Sequence, residues 1–187
     1  MKPEPDIDTD MHLVDLIKKA DKDAMYSLYR LYCGYLAAIC SRYVPDREDS
    51  KDILQDTFLQ IFNSIQGFDY RGAGSLKAWM GKIAVNQSLR FIKEHQKIEF
   101  TELSDKNIDT QYEEPEISGI TPAEIHRLIS ELPDGYRTIF NLYVIEEKSH
   151  KEIAGLLGIK ESTSASQLHR AKAILASKIR KLTEGIV

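Results

Sequence analysis

Three groups of residues in this chain have types and spacings that could do chemistry, and in each case the chemistry is binding. The first runs along one predicted helix, where Trp79, Lys82, Asn86, Arg90, Lys93 and Lys97 recur at spacings of three or four. An aromatic ring, an amide and four cations on one helical face make a surface for backbone phosphates and unstacked bases. A solvated basic face beside a core tryptophan fits that pattern equally well. Leu76, Met80, Ile83 and Ala84 form a neighbouring stripe, which reads as the core-facing side of the same helix.

The second group has the spacing of a helix-turn-helix. Counting from His150, Ala154 is fifth, Gly158 ninth and Leu168 nineteenth. A small residue at Ala154 lets two helices approach, and Gly158 can turn the chain in the left-handed conformation. Ile153, Leu157, Ile159 and Leu168 would fill the space between them, and Ser162 or Thr163 would cap the second helix. The outer face of that helix would carry Gln167, Arg170 and Lys172, side chains suited to base edges and phosphates. A helical hairpin with no DNA role is the plainer reading of the same spacing. The third group is Asp49, Asp52, Gln55 and Asp56, on a helix whose other side carries Leu54, Phe58 and Ile61. It makes a weak metal site, because the acids lack convergent partners and Lys51 intrudes. It suits a protein-docking surface, or simply an acidic first turn complementing the helix dipole.

Catalytic patterns are missing. Gly72-Ala73-Gly74 is followed by no Gly-Lys-Ser/Thr, and His150 and His169 have no nucleophile at a recognisable elbow. Cys33 and Cys40 lie seven apart in an apolar helical pattern, so they read as core thiols rather than a zinc site. No catalytic residue, metal or cofactor is expected.

Positioning these groups requires helices. The chain has 187 residues, 42% hydrophobic and 29% charged, with only ten glycines and six prolines. Helix-forming residues abound, no apolar run approaches the roughly 18 residues a membrane span needs, and the acidic start is unlike a signal peptide. A cytoplasmic protein without membrane insertion is expected. Net charge is −4, yet the bases cluster: Arg71, Lys77, Lys82, Arg90, Lys93 and Lys97 face only Glu94, and the last 28 residues carry a second set. Two basic patches on an acidic chain point to two DNA-contacting surfaces.

Helical periodicity runs from about Met11 to Gln96, with Leu28, Leu31, Tyr35, Ala38 and Ile39 in one stripe and Leu54, Phe58, Ile61 and Ile65 in the next. Pro45-Asp46 separates the two, Gly67 ends the second, and the glycines of 70–75 make a loop before a helix from about Ser75 to Gln96. From Ile98 to Gly119 the periodicity gives way to seven acids against Lys106, the composition of a solvated, flexible linker. Thr121-Pro122-Ala123-Glu124 then restarts a helix as a capping box, and breaks follow at Pro133-Asp134-Gly135 and around Gly158. The expected fold is all-α: a helical bundle over 1–97, an acidic linker over 98–120 and a helix-turn-helix domain over 121–187.

In this order, the segments resemble the sigma-70 family of transcription initiation factors, in particular the short extracytoplasmic-function type. Asp52-Ile-Leu-Gln-Asp-Thr-Phe58 looks like its polymerase-docking segment, Phe68 to Asn86 like its melting and minus-ten segment, and Leu132-Pro133 to Lys172 like its helix-turn-helix. The resemblance implies that Asp49, Asp52, Gln55 and Asp56 meet the clamp helices of the largest subunit of core RNA polymerase. It implies that the loop with Arg71, Gly72 and Ser75 pockets a flipped base. Trp79, Lys82 and Asn86, extended by Arg90 and Lys93, would hold the opened minus-ten strand. Ser166, Gln167, His169, Arg170 and Lys172 would face the minus-thirty-five duplex. Ala165 and Ser164 depart from the family pattern, which often has a base and usually a valine there. Many such factors are silenced by an anti-sigma partner. A two-domain helix-turn-helix regulator acting without polymerase, or a helical adaptor, are the competing readings.

Overall fold

Aspartate caps set where two of the long helices begin. In the computed structural model, which describes residues 7–95 and 119–183, helix α1 spans Ile7–Lys18 and α2 spans Lys22–Tyr43. The Asp21 carboxylate accepts from the Ala24 N–H at 2.8 Å and starts α2. Asp46 accepts from Glu48 and Asp49 N–H at 2.9 and 3.0 Å and starts α3, Arg47–Ser64. Each cap satisfies N–H groups that have no partner within the helix. A 3₁₀ turn at Ile65–Gly67 ends α3, and α4 spans Ser75–His95.

Helices α2, α3 and α4 pack on one another, and α1 lies against α2 and the 3₁₀ turn. Leu28, Leu36, Ile39, Tyr43, Ile61, Ile65, Leu76, Met80, Ala84 and Ile92 form the centre. Two residues expected in the α2 stripe are not there: Leu31 is 45% exposed and Ala38 is exposed. The buried stripe runs Leu28, Tyr32, Leu36, Ile39 and Tyr43, so Leu31 and Ala38 lie about a quarter-turn away. The Tyr32 hydroxyl donates to the buried Asp10 carboxylate at 2.6 Å and ties α1 to α2; burial, then Asp10, raises its pKa above the usual phenol range.

Small polar side chains are also buried among the three helices. Thr57 and Ser88 are buried and return their hydroxyl hydrogens to the carbonyls of Ile53 and Ala84, at 2.7 and 2.8 Å. Cys40 sits beside both, its thiol pushed up to about 11 by burial, which leaves it unreactive at neutral pH. Cys33 is only half-buried. Gly81 of α4 faces Tyr35 of α2 so closely that a Cβ there would lie 2.6 Å from the Tyr35 hydroxyl oxygen.

The chain divides into two compact units, Met1–Gln96 and Lys97–Val187. The expected acidic linker falls outside the described residues except for Gly119 and Ile120, as does Lys97. The second unit holds α5 (Pro122–Ser130), α6 (Asp134–Phe140), a π-turn (Asn141–Ile145), α7 (His150–Leu157) and α8 (Glu161–Thr183). Thr121 and Glu124 close the expected capping box, and the Thr121 hydroxyl and N–H hold the Glu124 carboxyl below its ordinary range. The buried Arg137 guanidinium donates to the Leu132 carbonyl at 2.6 Å and pairs with Asp134, fastening the α5–α6 turn. Leu128, Ile129, Leu132, Tyr136, Ala171 and Leu175 form the core around α8. No helix among the described residues is long and apolar enough to cross a membrane.

The Gly81–Tyr35 contact makes a signed prediction. Gly81→Ala should gain about 1 kcal/mol of helix propensity yet lose more to overpacking, typically about 1–3 kcal/mol. In a Tyr35→Phe background the overpacking cost should shrink. A double-mutant cycle by chemical denaturation reads this coupling, and an additive pair would contradict the contact.

Candidate nucleic-acid interface

The loop before α4 is shaped by two left-handed glycines, Gly72 at φ +107° and Gly74 at φ +79°. A side chain at either position would be strained. Ser75 closes the loop: its hydroxyl donates to the Gly72 carbonyl at 2.7 Å and accepts from the Arg71 N–H at 3.2 Å. The predicted DNA-contacting hydroxyl is therefore committed to loop geometry. Arg71 projects outward with its side chain 80% exposed, 3.9 Å from the Asp69 carboxylate.

Helix α4 presents the expected row. Lys82, Asn86, Arg90 and Lys93 are exposed, whereas Trp79 is half-buried with its ring centroid 4.7 Å from that of the buried Phe68. The indole thus packs against Phe68 at a 34° tilt. Arg90 pairs with Glu94 one turn on at 2.8 Å, which raises the guanidinium pKa further; both partners are exposed and contribute little to stability.

On α3, Asp52, Gln55 and Asp56 are exposed and Asp49 is partly so. Lys51, which interrupts the acids in sequence, turns to Glu48 at 2.7 Å. A groove of about 350 Å³ runs between α3 and α4, with Asp56, Leu59 and Gln60 on one wall and Arg90, Phe91 and His95 on the other. One member of each row, Asp56 and Arg90, therefore borders this groove, with Glu94 beside Arg90. No group of three or more metal-ligating side chains occurs among the described residues.

In the second unit, Ser149 caps α7 with a second capping box through Glu152, and Gly158 takes the left-handed conformation at φ 71°, ψ 34°. Ile153, Leu157 and Leu168 are buried between the helices as their spacing predicts, with the small Ala154 buried beside them, whereas Ile159, also expected there, is only half-buried. Helix α8 begins at Glu161, so Ser162 and Thr163 lie inside its first turn rather than capping it.

Gln167 requires a correction. It is 4% exposed and cannot lead the helix into a groove. Ser164, Gln167, Leu168, Ala171 and Leu175 follow at three- and four-residue spacing and share the stripe facing α7 and the core. Ser164 is fully buried and lies 2.9 Å from His150 Nδ1, and that imidazole stacks on Tyr143 at 4.6 Å. A polar pin thus replaces the apolar contact expected at Ser164. The outward face carries Ser162, Ala165, Ser166 and His169, with Arg170 and Lys172 half-exposed at its edges.

Comparison with known proteins decides the family. Residues 28–98 match the model described as Sigma-70 region 2, and residues 123–175 match Sigma-70, region 4. The RNA polymerase sigma factor YlaC of Bacillus subtilis is 30% identical over 87% of this chain and 96% of its own length. This chain belongs to the sigma-70 family. Within it the similarity is to extracytoplasmic-function factors: SigW of Bacillus subtilis is 26% identical over 89% of this chain and 94% of its own. The solved structure of CnrH in complex with the cytosolic domain of CnrY aligns over 94% of this chain and 97% of its own, at 21% identity and a TM-score of 0.46. The role of this chain is that of a sigma factor in RNA polymerase transcription initiation.

Two structural partners in this sigma factor escaped the sequence reading. Phe68 backs Trp79 from eleven residues away, across a glycine loop that carries no periodicity. His150 meets Ser164 from fourteen residues away, across the Gly158 turn. Gln167→Ala should lower the stability of the second unit by about 1–3 kcal/mol, the range for disturbing a buried polar group, while leaving base preference unchanged. His169→Ala should do the reverse. Thermal melts paired with minus-thirty-five binding of both variants check this, and a change of base preference in Gln167→Ala would contradict the buried placement.

Proposed function

We propose that α3 and α4 divide the sigma factor's work within one bundle: α3 docks on core RNA polymerase, and α4 with its preceding loop holds the separated minus-ten strand. The observation that carries this reading is the exposed row Lys82, Asn86, Arg90 and Lys93, following Trp79 on the helix directly after the Gly72–Ser75 loop. Flipping a base out of the duplex costs a few kcal/mol, and each aromatic stack returns about 1–3 kcal/mol. The half-exposed Trp79 ring offers the stack, the cations meet phosphates, and the Asn86 amide reads a base edge that only a separated strand presents. Arg71, standing outward on the loop, covers the flipped nucleotide's phosphate, while Gly72 and Ser75 keep the loop open beneath it.

Asp52, Gln55 and Asp56, with Asp49 at the edge, fit a basic helical partner, and the clamp helices of the largest polymerase subunit are the partner inferred. In the second unit, Ser166 and His169 face bases of the minus-thirty-five element while Arg170 and Lys172 reach phosphate. Gln167 acts from inside by fixing the angle of α8. Ala165 leaves an outward position without a contact, so duplex affinity rests on few side chains. The sigma factor supplies binding and orientation in the cytoplasm, and the chemistry of RNA synthesis is the polymerase's. An anti-sigma partner would silence it by covering the α3 row, the α4 row or both.

Charge reversal at Asp52 and Asp56 together should weaken core polymerase binding about tenfold or more, with the deficit changing with salt, while helicity is retained. Gel filtration with core polymerase reads the first and circular dichroism the second. Asn86→Ala should slow open-complex formation on a linear promoter, and an artificially premelted bubble should restore it. Normal docking of the double reversal, or a persistent Asn86→Ala defect on the bubble, would overturn the corresponding assignment.

A further inference from the structure

None of the residues assigned to polymerase or DNA lies on α1, yet the end of α1 is tied to the segment leading into the melting loop. The Lys18 ammonium donates to the Phe68 carbonyl at 2.7 Å from a half-buried position, across 50 residues of sequence. The Gln66 amide nitrogen donates to the Lys18 carbonyl at 2.8 Å. One residue is thus donor through its side chain and acceptor through its main chain, and its two partners straddle Gly67.

The backbone beyond Lys18 is equally constrained. Ala20 adopts φ +62°, a conformation that non-glycine residues keep only where their surroundings hold them. Its N–H donates to the Ile17 carbonyl at 2.8 Å, and the Asp21 N–H donates to that of Leu16 at 3.1 Å. The end of α1 is therefore a fixed point. From it a short physical chain reaches the DNA-facing surface: Lys18 holds the Phe68 carbonyl, the Phe68 ring is buried, and that ring lies 4.7 Å from Trp79. The next residues, Asp69 to Gly74, are the loop itself.

We propose that Lys18 is a positioning residue for strand separation: by clamping the Phe68 carbonyl it sets both the plane of the Trp79 indole and the point from which the loop departs. The proposal rests on reading Trp79 as the platform for an unstacked base. A charge-assisted hydrogen bond is roughly twice as strong as a neutral one, and here it acts on a main-chain group, which no change of rotamer at Phe68 can evade. Methionine at position 18 keeps the aliphatic stem and removes the donor. Arginine keeps a donor.

Trp79 is the single tryptophan of the chain, so the fluorescence of the full-length protein reports its surroundings directly. Lys18→Met should shift Trp79 emission to longer wavelength and lower its anisotropy. It should also reduce open-complex formation on a linear promoter by about tenfold, leaving core polymerase binding unchanged. A premelted bubble should restore initiation, and Lys18→Arg should behave as the parent in every assay. Gln66→Ala, an exposed change at the other half of the tie, should move both readouts the same way by a smaller amount, and it becomes the deciding variant if Lys18→Met loses helicity. Unchanged emission and anisotropy in a folded Lys18→Met protein would overturn the proposal, as would a defect that the bubble does not rescue. Trp79→Ala, run in parallel, separates the two readings. If it is defective while Lys18→Met is normal, Lys18 positions nothing. If it is itself silent, the platform reading of Trp79 falls, and the fluorescence alone judges the clamp.

Discussion

Helix α4 has to satisfy two environments at once. Its inner side buries Leu76, Met80, Ala84, Val85, Leu89 and Ile92 against α2 and α3, while its outer side leaves Lys82, Asn86, Arg90 and Lys93 in solvent. A helix turns 100° per residue, so the two stripes stay in register only if α4 is straight and seated at one rotation. Small groups set that seat: Gly81 under the Tyr35 hydroxyl, and Ser88 with its hydrogen returned to its own helix beside Cys40 and Thr57. Enlarging Ser88, or Gly81 without a shift of Tyr35, would crowd that seat and disturb the exposed row. Trp79 lies on the outer stripe between Asn86 and Arg90, and it is half-buried because Phe68, from the segment before the loop, packs against it.

Charge placement follows from the same seat. The chain is acidic overall, at −4, and a uniform acidic surface would repel DNA. Confining acids to the start of α3 and bases to α4 puts opposite fields on adjacent helices, bordering one groove at Asp56 and Arg90. The acids of the first turn of α3, Glu48 and Asp49, also complement its dipole. Because all these charges but Asp49 are exposed, their worth lies in steering and orientation more than in stability.

Much of this was legible in the residues. Asp46, Thr121 and Gly158 stand where their capping or turning chemistry requires, and the breaks at Pro45, Gly67 and Pro133 fall as expected, because these are local effects that need no knowledge of packing. The stripes of α2 and α8 were less legible. Leu31 looked apolar enough for the core and Gln167 polar enough for the surface, yet helix phase overrides side-chain type when three partners fix the rotation. A recognition helix whose inner positions are Ser164 and Gln167 hides its phase, since both residues would suit water. The Lys18–Phe68 and His150–Ser164 bonds join distant positions and leave no periodic trace.

The central claim is that the outer face of α4 touches the separated minus-ten strand. A photoreactive amino acid placed at Lys82 of the full-length protein, assembled with core polymerase on a linear promoter, tests it most directly. Crosslinking should go to the nontemplate strand within the minus-ten element and should appear only under conditions that allow the DNA to open. Crosslinks to the template strand, to upstream duplex, or of equal yield before opening would contradict the account.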